Sequence, residues 1–273
     1  MPELPEVEVI ARGLHSTLAG RTVVSVDPVD MTRLSESAES LVPKVEGRTI
    51  KKVYRRAKVL FIQLDNGLTM AFHLKMTGRV VHGPVRPRER HDRILFALDD
   101  RTLLCFSDMR RFGYVRTFTP DELEQWDFLK RCGPEPLETA AAVLADRIEG
   151  RKARIKALLL DQSVVAGVGN IYADESLFRA GIHPETRAHQ ISRARRTKLF
   201  AELQDVLKQA IAENGSSIRD YVNADGDAGA FQNSFNVYGK KGELCTVCKT
   251  VLKAEKVAGR TSTFCSKCQP KGR

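Results

Sequence analysis

The sequence lacks a long apolar run, a leader and a repeat. No stretch reaches 18 consecutive apolar residues, so we expect no segment that crosses a membrane. The N-terminus has no basic region followed by an apolar run, so we expect no secretory signal. Internal repeats and low-complexity runs are also missing. The first two absences exclude the membrane and secreted classes, and we expect a cytoplasmic or nucleoid location by default.

Cysteine is scarce, with six residues in a chain of 273. In a reducing compartment, cysteines are more often metal ligands or buried thiols than disulfides. Four of them form two CxxC pairs, with sixteen residues between the pairs: Cys245, Cys248, Cys265 and Cys268. Thiolates are soft donors, and two such pairs can close a tetrahedron around zinc. The spacing therefore predicts one structural zinc, whereas a redox pair would need a single CxxC.

Acidic residues are too few to balance the basic ones. The chain has 44 Lys and Arg against 34 Asp and Glu, which gives a net charge of +10 and a pI of about 9.4. A polyanion binder needs this bias, and a metabolic enzyme does not. The C-terminal segment 231–273 is the most basic, with nine basic residues against two acids. The charge therefore points to nucleic acid as a partner.

The hydrophobic pattern predicts an α+β fold. "PEVEVIARGLHSTLAG" has one apolar helical stripe, and short β-branched runs from residue 22 to residue 118 predict a sandwich or barrel-like sheet. A "DNG" hairpin turn joins two of these runs at Asp65–Gly67. "RCGPEPL" at Arg131–Leu137 marks a linker, after which the pattern becomes helical. We expect three regions: a β-sandwich domain at 1–131, a helical domain at 132–230 and a zinc finger at 231–273.

Two short segments are open to two interpretations. Pro5 and Glu6 in "MPELPE" suit the first turn of a helix, but an exposed N-terminal amine could also do chemistry. Between the cysteine pairs, "KTVLKAEKVAGRTSTF" predicts two strands that turn near Gly259. Arg260 would then lie at the hairpin tip, either as a solvated loop residue or as a phosphate ligand. Spacing alone favours neither role.

Three motifs together resemble the formamidopyrimidine-DNA glycosylases of bacteria. They are "MPELPEVE", "VVAGVGNIYADE" at Val164–Glu175, and "VYGKKGELCTVC…GRTSTFCSKCQ", and they cover the chain in order from Pro2 to Gln269. The resemblance implies an N-terminal helix with a β-sandwich domain, a helical domain with a helix–two-turn–helix, and a C-terminal four-cysteine zinc-finger β-hairpin.

The resemblance also implies a function. Members of this family are base-excision repair enzymes that act on double-stranded DNA as monomers with one zinc. They remove oxidised purines, chiefly 8-oxoguanine opposite cytosine and formamidopyrimidines, and then cut the abasic strand by β,δ-elimination. We therefore expect a DNA-formamidopyrimidine glycosylase with AP lyase activity, located in the cytoplasm at the nucleoid.

The catalytic residues that the resemblance implies are Pro2, Glu3, Lys58 and Arg260. Pro2 would become the N-terminal nucleophile after removal of Met1. An α-amine has a pKa near 7.7–8.0, and the secondary amine of proline forms an iminium with the sugar C1′. Glu3 would be the general acid and base. Lys58 and Arg260 would contact phosphates of the damaged strand.

The resemblance implies a further set of residues for DNA and lesion binding: Glu6, His73, Met76, His91, Arg110, Phe112, Lys156 and Asn170. Met76, Arg110 and Phe112 would form an intercalation triad that fills the gap left by a flipped nucleotide and pairs the orphaned cytosine. From the sequence alone Met76 and Phe112 are core residues, and Asn170 is a helix N-cap. The Gly-rich segment Ser216–Phe231 would cover the flipped base.

Two rival functions differ in class or substrate. An enzyme of the endonuclease VIII type would prefer oxidised pyrimidines, but Leu4 and the "MRRFG" segment favour the purine enzyme. A zinc-ribbon protein without catalysis would explain the charge and the cysteines and leave "PELPE" without a purpose. The sequence leaves open the order of lesion preference, the stringency for the opposite base, the rates, the order of the capping segment without DNA, and whether Met1 is removed.

Overall fold

The structure, a computed structural model, describes residues 1–218 and 221–271. Its helices are α1 (Leu4–Leu18), α2 (Ala38–Val45), α3 (Pro120–Gln125), α4 (Asp127–Arg131), α5 (Ala141–Asp146), α6 (Ile155–Leu160), α7 (Asn170–Arg179) and α8 (Arg193–Ala212). Its strands are β1 (Val23–Asp27), β2 (Ile50–Arg56), β3 (Val59–Leu64), β4 (Thr69–His73), β5 (Gly78–Pro84), β6 (Asp92–Leu98), β7 (Thr102–Asp108), β8 (Tyr114–Phe118), β9 (Lys253–Val257) and β10 (Arg260–Phe264). Short 3₁₀ turns lie at Ala188–Gln190 and Phe231–Ser234.

The chain folds into two compact units, each made of two chain segments. The first contains residues 1–130 and 213–232, and the second contains residues 131–212 and 233–273. The 213–232 segment thus packs with the first unit, although it follows the last long helix of the second. The three-part division expected from the sequence stays a prediction. Among the described residues, no helix combines the length and apolar character that a membrane crossing needs.

The first unit is a β-sandwich with a helix beside it, as the sequence predicts. Its two antiparallel sheets have the strand orders β1-β6-β7-β5 and β2-β3-β4-β8. Both sheets contribute to one apolar core, in which Phe72 of β4 makes edge contacts with Phe96 of β6 and Phe106 of β7. The predicted "DNG" turn joins β3 and β4, which pair in register from Val59↔His73 to Gln63↔Thr69. This register matters because His73 is a proposed site residue and its partner Val59 directly follows another one, Lys58.

Helix α1 packs on this core through the predicted stripe, which consists of Val7, Ile10, Ala11, Leu14 and Leu18. Burial of each large aliphatic side chain contributes about 1.5–3 kcal/mol, so the stripe anchors the helix firmly. The chain then leaves the helix through Gly20, whose φ of +87° lies in the left-handed region. The start of α1 is thereby fixed relative to the sandwich.

The second unit consists of helices and a zinc-binding module. Helix α8 packs against α5 and α7, and α7 also contacts β10. Gly167, with a φ of +78°, lies in the turn between α6 and α7, where both Val164 and Val165 donate backbone hydrogen bonds to Asp161. This compact double turn between two helices agrees with the expected helix–two-turn–helix. Strands β9 and β10 form the predicted hairpin.

Candidate active site and metal centre

The start of α1 holds the two residues proposed for catalysis. Pro2 and Glu3 are both buried, and Glu3 is the N-cap residue with an extended backbone. Pro5 occupies the first turn, where its missing N–H has no helical acceptor to lose. The Glu6 carboxylate accepts the backbone N–H of Glu3 at 2.8 Å. This hydrogen bond fixes the backbone that carries Pro2 and Glu3.

Glu6 also binds the 213–232 segment. Its other carboxylate oxygen accepts the N–H of Ser216 at 2.9 Å and the Ser216 hydroxyl at 3.0 Å. Gly215 precedes this contact with a φ of +76°, and a Cβ there would lie 3.1 Å from Glu6 Cγ. Glycine is therefore required both for the backbone and for the close approach. Glu6 connects the expected catalytic residues to the segment expected to cover the flipped base, and its role in binding the lesion stays a prediction.

Lys58 and His73 lie side by side at the same end of the β3–β4 pair. Lys58 follows Ala57, whose φ of 52° turns the chain between β2 and β3, and Val59 pairs with His73. Burial, with the nearby charges of Lys75 and Lys58, lowers the pKa of His73 to about 3. The ring is therefore neutral at pH 7. Its Nδ1 accepts the backbone N–H of Lys75 at 3.1 Å, which leaves the proton on Nε2.

The three residues of the intercalation triad lie together on the surface. Arg110 Nη1 donates to Met76 Sδ at 2.9 Å, and Arg110 Cζ lies 4.8 Å from the centre of the Phe112 ring. Met76 is 42% exposed and Phe112 is 47% exposed. Their interpretation as core residues, which the sequence alone favours, is therefore wrong. An exposed thioether, guanidinium and phenyl ring in contact have the size and chemistry to replace a flipped nucleotide.

Asp108, which the sequence analysis missed, organises the loop that carries Arg110 and Phe112. Its buried carboxylate accepts the N–H groups of Gly113 at 2.7 Å and Arg110 at 3.2 Å, and also the hydroxyl of Thr77. Thr77 directly follows Met76, so one carboxylate joins the two segments of the triad. The only sequence signal is an acid at a strand end before a loop, which is common at turns.

His91 lies beside the same loop. It is exposed, and its carbonyl accepts the backbone N–H of Asp108 at 2.9 Å. The loop between β5 and β6 is therefore tied to the end of β7, from which the triad loop begins. His91 is thus near the proposed DNA-binding surface of this unit, and its contact with DNA stays a prediction.

The four paired cysteines form a cluster that fits zinc. Their Sγ atoms all lie within 4.8 Å of one another, and the Cys248–Cys265 and Cys245–Cys268 pairs are 3.4 and 3.8 Å apart. Zn–S bonds of about 2.3 Å in a tetrahedron require S···S distances of about 3.8 Å. All four are free thiols rather than disulfides. The predicted structural zinc centre with four cysteine ligands is confirmed.

Lys249 directly follows the second cysteine ligand, Cys248, in the knuckle turn. Its φ is 61°, in the left-handed region, and its N–H donates to the Cys245 carbonyl at 3.0 Å. The knuckle turn is therefore kept, and the lysine backbone adopts a conformation that a glycine would adopt with less strain.

The zinc module presents Arg260 at its hairpin turn. The turn is formed by Ala258 and Gly259, with φ values of 50° and 73°, and Arg260 is the exposed first residue of β10, paired with Val257. The predicted turn is thus confirmed, with Arg260 directly after it. An exposed guanidinium on a metal-braced hairpin is well suited to grip phosphate.

Asn170 is the first residue of α7, and Gly169 occupies the N-cap position. The predicted N-cap role of Asn170 is therefore wrong by one position, because Gly169 adopts the extended backbone of the cap. The Asn170 amide instead donates to the Thr261 carbonyl at 3.0 Å. Gln162, missed by the sequence analysis, holds the turn before α7 by accepting from Gly167 N–H at 2.9 Å and donating to the Val168 carbonyl at 2.8 Å.

Lys156 does not reach the surface. Its side chain is 0% exposed, and its ammonium donates to Asp174 at 2.7 Å, Ser262 at 2.6 Å and the Thr261 carbonyl at 3.2 Å. The Lys156 charge is thus enclosed by protein, and its expected role in DNA or lesion binding stays a prediction.

Models of protein families match most of the chain. The N-terminal domain of formamidopyrimidine-DNA glycosylase matches residues 1–115, and the helix–two-turn–helix domain of the same enzyme matches residues 132–222. A zinc finger found in this glycosylase and in isoleucyl-tRNA synthetase matches residues 242–271.

Named relatives and solved structures are also formamidopyrimidine-DNA glycosylases. A formamidopyrimidine-DNA glycosylase of Nitratidesulfovibrio vulgaris is 58% identical over 206 residues, which cover 75% of this chain and 56% of that protein. The Bacillus subtilis enzyme is 42% identical, with 99% of this chain and 100% of the relative covered. The Lactococcus lactis enzyme in complex with abasic-site DNA has a TM-score of 0.92 at 34% identity, and 98% of this chain and 100% of that chain are covered.

Proposed function

Because the chain belongs to the formamidopyrimidine-DNA glycosylase family, we propose that it removes oxidised purines from double-stranded DNA and cuts the resulting abasic site. The observation that carries this proposal is the start of α1, where Pro2 and Glu3 adjoin on a backbone fixed by Glu6. Solved relatives from L. lactis bind DNA that contains an abasic site or Fapy-dG, which supports the substrate class.

Pro2 is the proposed nucleophile. In the printed chain its nitrogen forms an amide with Met1, and an amide nitrogen is not nucleophilic, so the reaction requires prior removal of Met1. The freed secondary amine attacks the sugar C1′, the bond from C1′ to the base breaks, and the base leaves with a proton. The product is an aminal, and its C1′–O4′ bond breaks as O4′ takes up a proton from Glu3, which opens the sugar ring and leaves an iminium at C1′. This iminium withdraws electrons from the sugar. Loss of a C2′ proton then expels the 3′ phosphate, and a second elimination expels the 5′ phosphate.

Glu3 is the proposed proton carrier. It protonates the sugar oxygen or the departing base and later accepts protons during elimination. Its place next to Pro2 in the chain keeps both groups at the same sugar. Glu3 is buried, which limits competition from water for these protons.

Phosphate binding and base reading use different residues. Lys58, Asn170 and Arg260 are the proposed phosphate ligands, and His73 donates from a neutral ring. Arg110 pairs the orphaned cytosine while Met76 and Phe112 fill the gap, which the contact among these three supports. Zinc supplies no step of the reaction, because a centre with four cysteine ligands has no open position.

The location and the oligomeric state are part of the proposal. We infer that the enzyme works in the cytoplasm at the chromosomal DNA, where its lesions arise. We also infer that it acts as a monomer, as the resemblance to the family implies.

Borohydride trapping on two matched duplexes tests the function. One duplex carries 8-oxoguanine opposite cytosine and the other carries thymine glycol opposite adenine. The mature chain, with Pro2 at its N-terminus, should be trapped on the first duplex much faster than on the second. A chain with an extra N-terminal residue serves as the control, because its proline nitrogen is an amide.

The outcomes separate the three candidate functions. Preferential trapping on thymine glycol would identify an enzyme of the endonuclease VIII type. DNA binding without trapping on either duplex would identify a binding protein that lacks catalysis. Trapping of the blocked control at the rate of the mature chain would show that another amine is the nucleophile.

A further inference from the structure

A buried ion pair lies beneath the Arg260 hairpin in the second unit. Lys156 of α6 and Asp174 of α7 are 0% and 2% exposed, and their charged atoms are 2.7 Å apart. A buried charge is costly unless it is paired and hydrogen-bonded, so each group depends on the other. Lys156 therefore needs Asp174 to remain charged in the protein interior, whereas an exposed DNA-binding lysine would need no such partner.

Both partners of the pair hold β10. The Lys156 ammonium donates to the Ser262 hydroxyl at 2.6 Å and to the Thr261 carbonyl at 3.2 Å. The second carboxylate oxygen of Asp174 accepts the backbone N–H of Thr263 at 3.1 Å. Three successive residues of β10, directly after Arg260, are thus fixed to two helices.

The Thr261 carbonyl also links the pair to Asn170. It accepts hydrogen bonds from the Lys156 ammonium and from the Asn170 amide, at 3.2 and 3.0 Å. Of the two proposed phosphate ligands, Asn170 is therefore hydrogen-bonded to the residue that directly follows Arg260 in β10. A change in the position of β10 would alter the spacing between them.

We propose that Lys156 and Asp174 are positioning residues, which hold β10 where Arg260 and Asn170 can bind neighbouring phosphates of one DNA strand. The proposal rests on the phosphate roles given to Arg260 and Asn170 above. It replaces a direct contact between Lys156 and the lesion with an action through the hairpin. It also assigns a function to Asp174, which a lesion-contact role for Lys156 would leave unexplained.

Glu175, the next residue of α7, holds the other side of the module. Its buried carboxylate accepts the backbone N–H groups of Asn236, Val237 and Tyr238 at 2.9–3.0 Å. These residues lead into the first cysteine pair. Because this contact is independent of Lys156, loss of the ion pair should shift the hairpin while the zinc module remains attached and folded.

The salt dependence of DNA binding tests the proposal. The zinc-loaded full chain is titrated with a duplex that contains a tetrahydrofuran abasic analogue, at several salt concentrations. One lost phosphate contact reduces the slope of log affinity against log salt by about 0.9. Lys156→Met, Asp174→Asn and Arg260→Ala should each reduce the slope by this amount. In a Lys156→Met background, Arg260→Ala should produce no further reduction.

Two controls keep the experiment decisive. Lys208→Met removes the same charge from an exposed position on α8, 64% exposed, and should leave the slope unchanged. Zinc content should remain at one equivalent in every variant. If a single variant loses zinc, the double variant Lys156→Met/Asp174→Leu, which leaves no unpaired buried charge, is measured in its place with the same expectation.

Three results would overturn the proposal. The first is a wild-type slope in Lys156→Met or its double variant, with the Arg260→Ala slope reduced. The second is a loss of lesion preference in Lys156→Met that Asp174→Asn does not share, which would indicate a direct lesion contact. The third is an unchanged slope in Arg260→Ala itself, which would overturn the phosphate role of Arg260 as well, while the chemistry at Pro2 would be unaffected.

Discussion

The two units hold their proposed functional side chains by different means. In the first unit, the buried carboxylates of Glu6 and Asp108 accept backbone N–H groups of nearby loops. In the second unit, a metal centre and the Lys156–Asp174 pair hold a whole hairpin. In the first unit each carboxylate thus positions one short loop, and in the second unit the metal centre and the ion pair position an entire hairpin.

This difference has consequences for substitution. A change in the first unit should remove one chemical ability and leave the others, because each loop has its own carboxylate. A change at the zinc centre or at the Lys156–Asp174 pair of the second unit should alter several DNA contacts together. The residues proposed to make these contacts lie on the same hairpin and on α7. The following predictions test this contrast, from the largest expected effect to the smallest.

Glu3→Gln should separate base removal from the covalent step. The amide cannot carry a proton, so excision of 8-oxoguanine should fall by about 10²- to 10⁴-fold. Trapping on a ready-made abasic site should persist, because the base has already left. The control Glu124→Gln, at an exposed position on α3, should retain both activities. Equal loss of both activities in Glu3→Gln would contradict a role confined to proton transfer.

Cys248→Ser should disrupt the zinc-binding module of the second unit. We expect loss of about one equivalent of zinc by atomic absorption and weaker binding to all DNA, roughly 10- to 100-fold, because metal binding supplies folding free energy to the module. Cys132→Ser, a cysteine outside the cluster, should retain zinc and affinity. Full zinc content in Cys248→Ser would refute the ligand assignment.

Arg110→Ala should alter base reading alone. A good bidentate contact to a base contributes about 1–3 kcal/mol, so the preference for cytosine opposite the lesion should fall by roughly tenfold. The salt slope should stay nearly unchanged. The neighbouring Arg111→Ala, which loses an ion pair to Asp30 at 3.1 Å, should retain the cytosine preference. Uniform loss of affinity for every opposite base in Arg110→Ala would instead make Arg110 a phosphate ligand.

His73→Gln should have the smallest effect on DNA binding. A neutral ring displaces no counterion, so affinity should fall modestly while the salt slope remains that of the wild type. Arg260→Ala provides the contrast, since it should reduce the slope by about 0.9. A reduced slope in His73→Gln would show that the ring is charged when DNA is bound.

The same variant tests the low pKa of His73. Because the pKa is about 3 when folded and 6.5 ordinarily, the unfolded chain takes up the proton first as pH falls. This group therefore lowers the free energy of unfolding as pH falls from about 6.5 towards 3. Between pH 7 and pH 5 the wild type should lose up to about 2 kcal/mol more than His73→Gln in urea unfolding. Equal losses would contradict a buried neutral ring.

Local signals predicted much of the fold from the sequence. The stripe of α1, the "DNG" turn and the two CxxC pairs each depend on residues close in the chain. Helix α2 and strand β5 were missed because local rules argue against them. Helix α2 contains Pro43, and β5 begins with Gly78 and ends with Pro84. Tertiary packing outweighs these weak propensities.

The site was harder to predict where partners are distant in the chain. The family motifs led to Pro2, Glu3 and the triad, but not to Asp108 or Gln162, which act by hydrogen bonds to loop backbones. Lys156 was placed among the lesion-binding residues by the resemblance, and its hydrogen-bond partner Ser262 lies 106 residues away in the chain. No spacing rule reveals such a contact, so only the folded chain indicates a positioning role.

The most direct test of the account is the identity of the residue that becomes attached to DNA. The mature chain is trapped with borohydride on abasic DNA, digested with protease and nuclease, and analysed by mass spectrometry. The account predicts that the added mass lies on the N-terminal peptide, at Pro2, and that a chain with Met1 retained gives no adduct. An adduct on Lys58 or Lys156 would contradict the account, because a lysine would then carry the covalent step and Pro2 would only begin a helix.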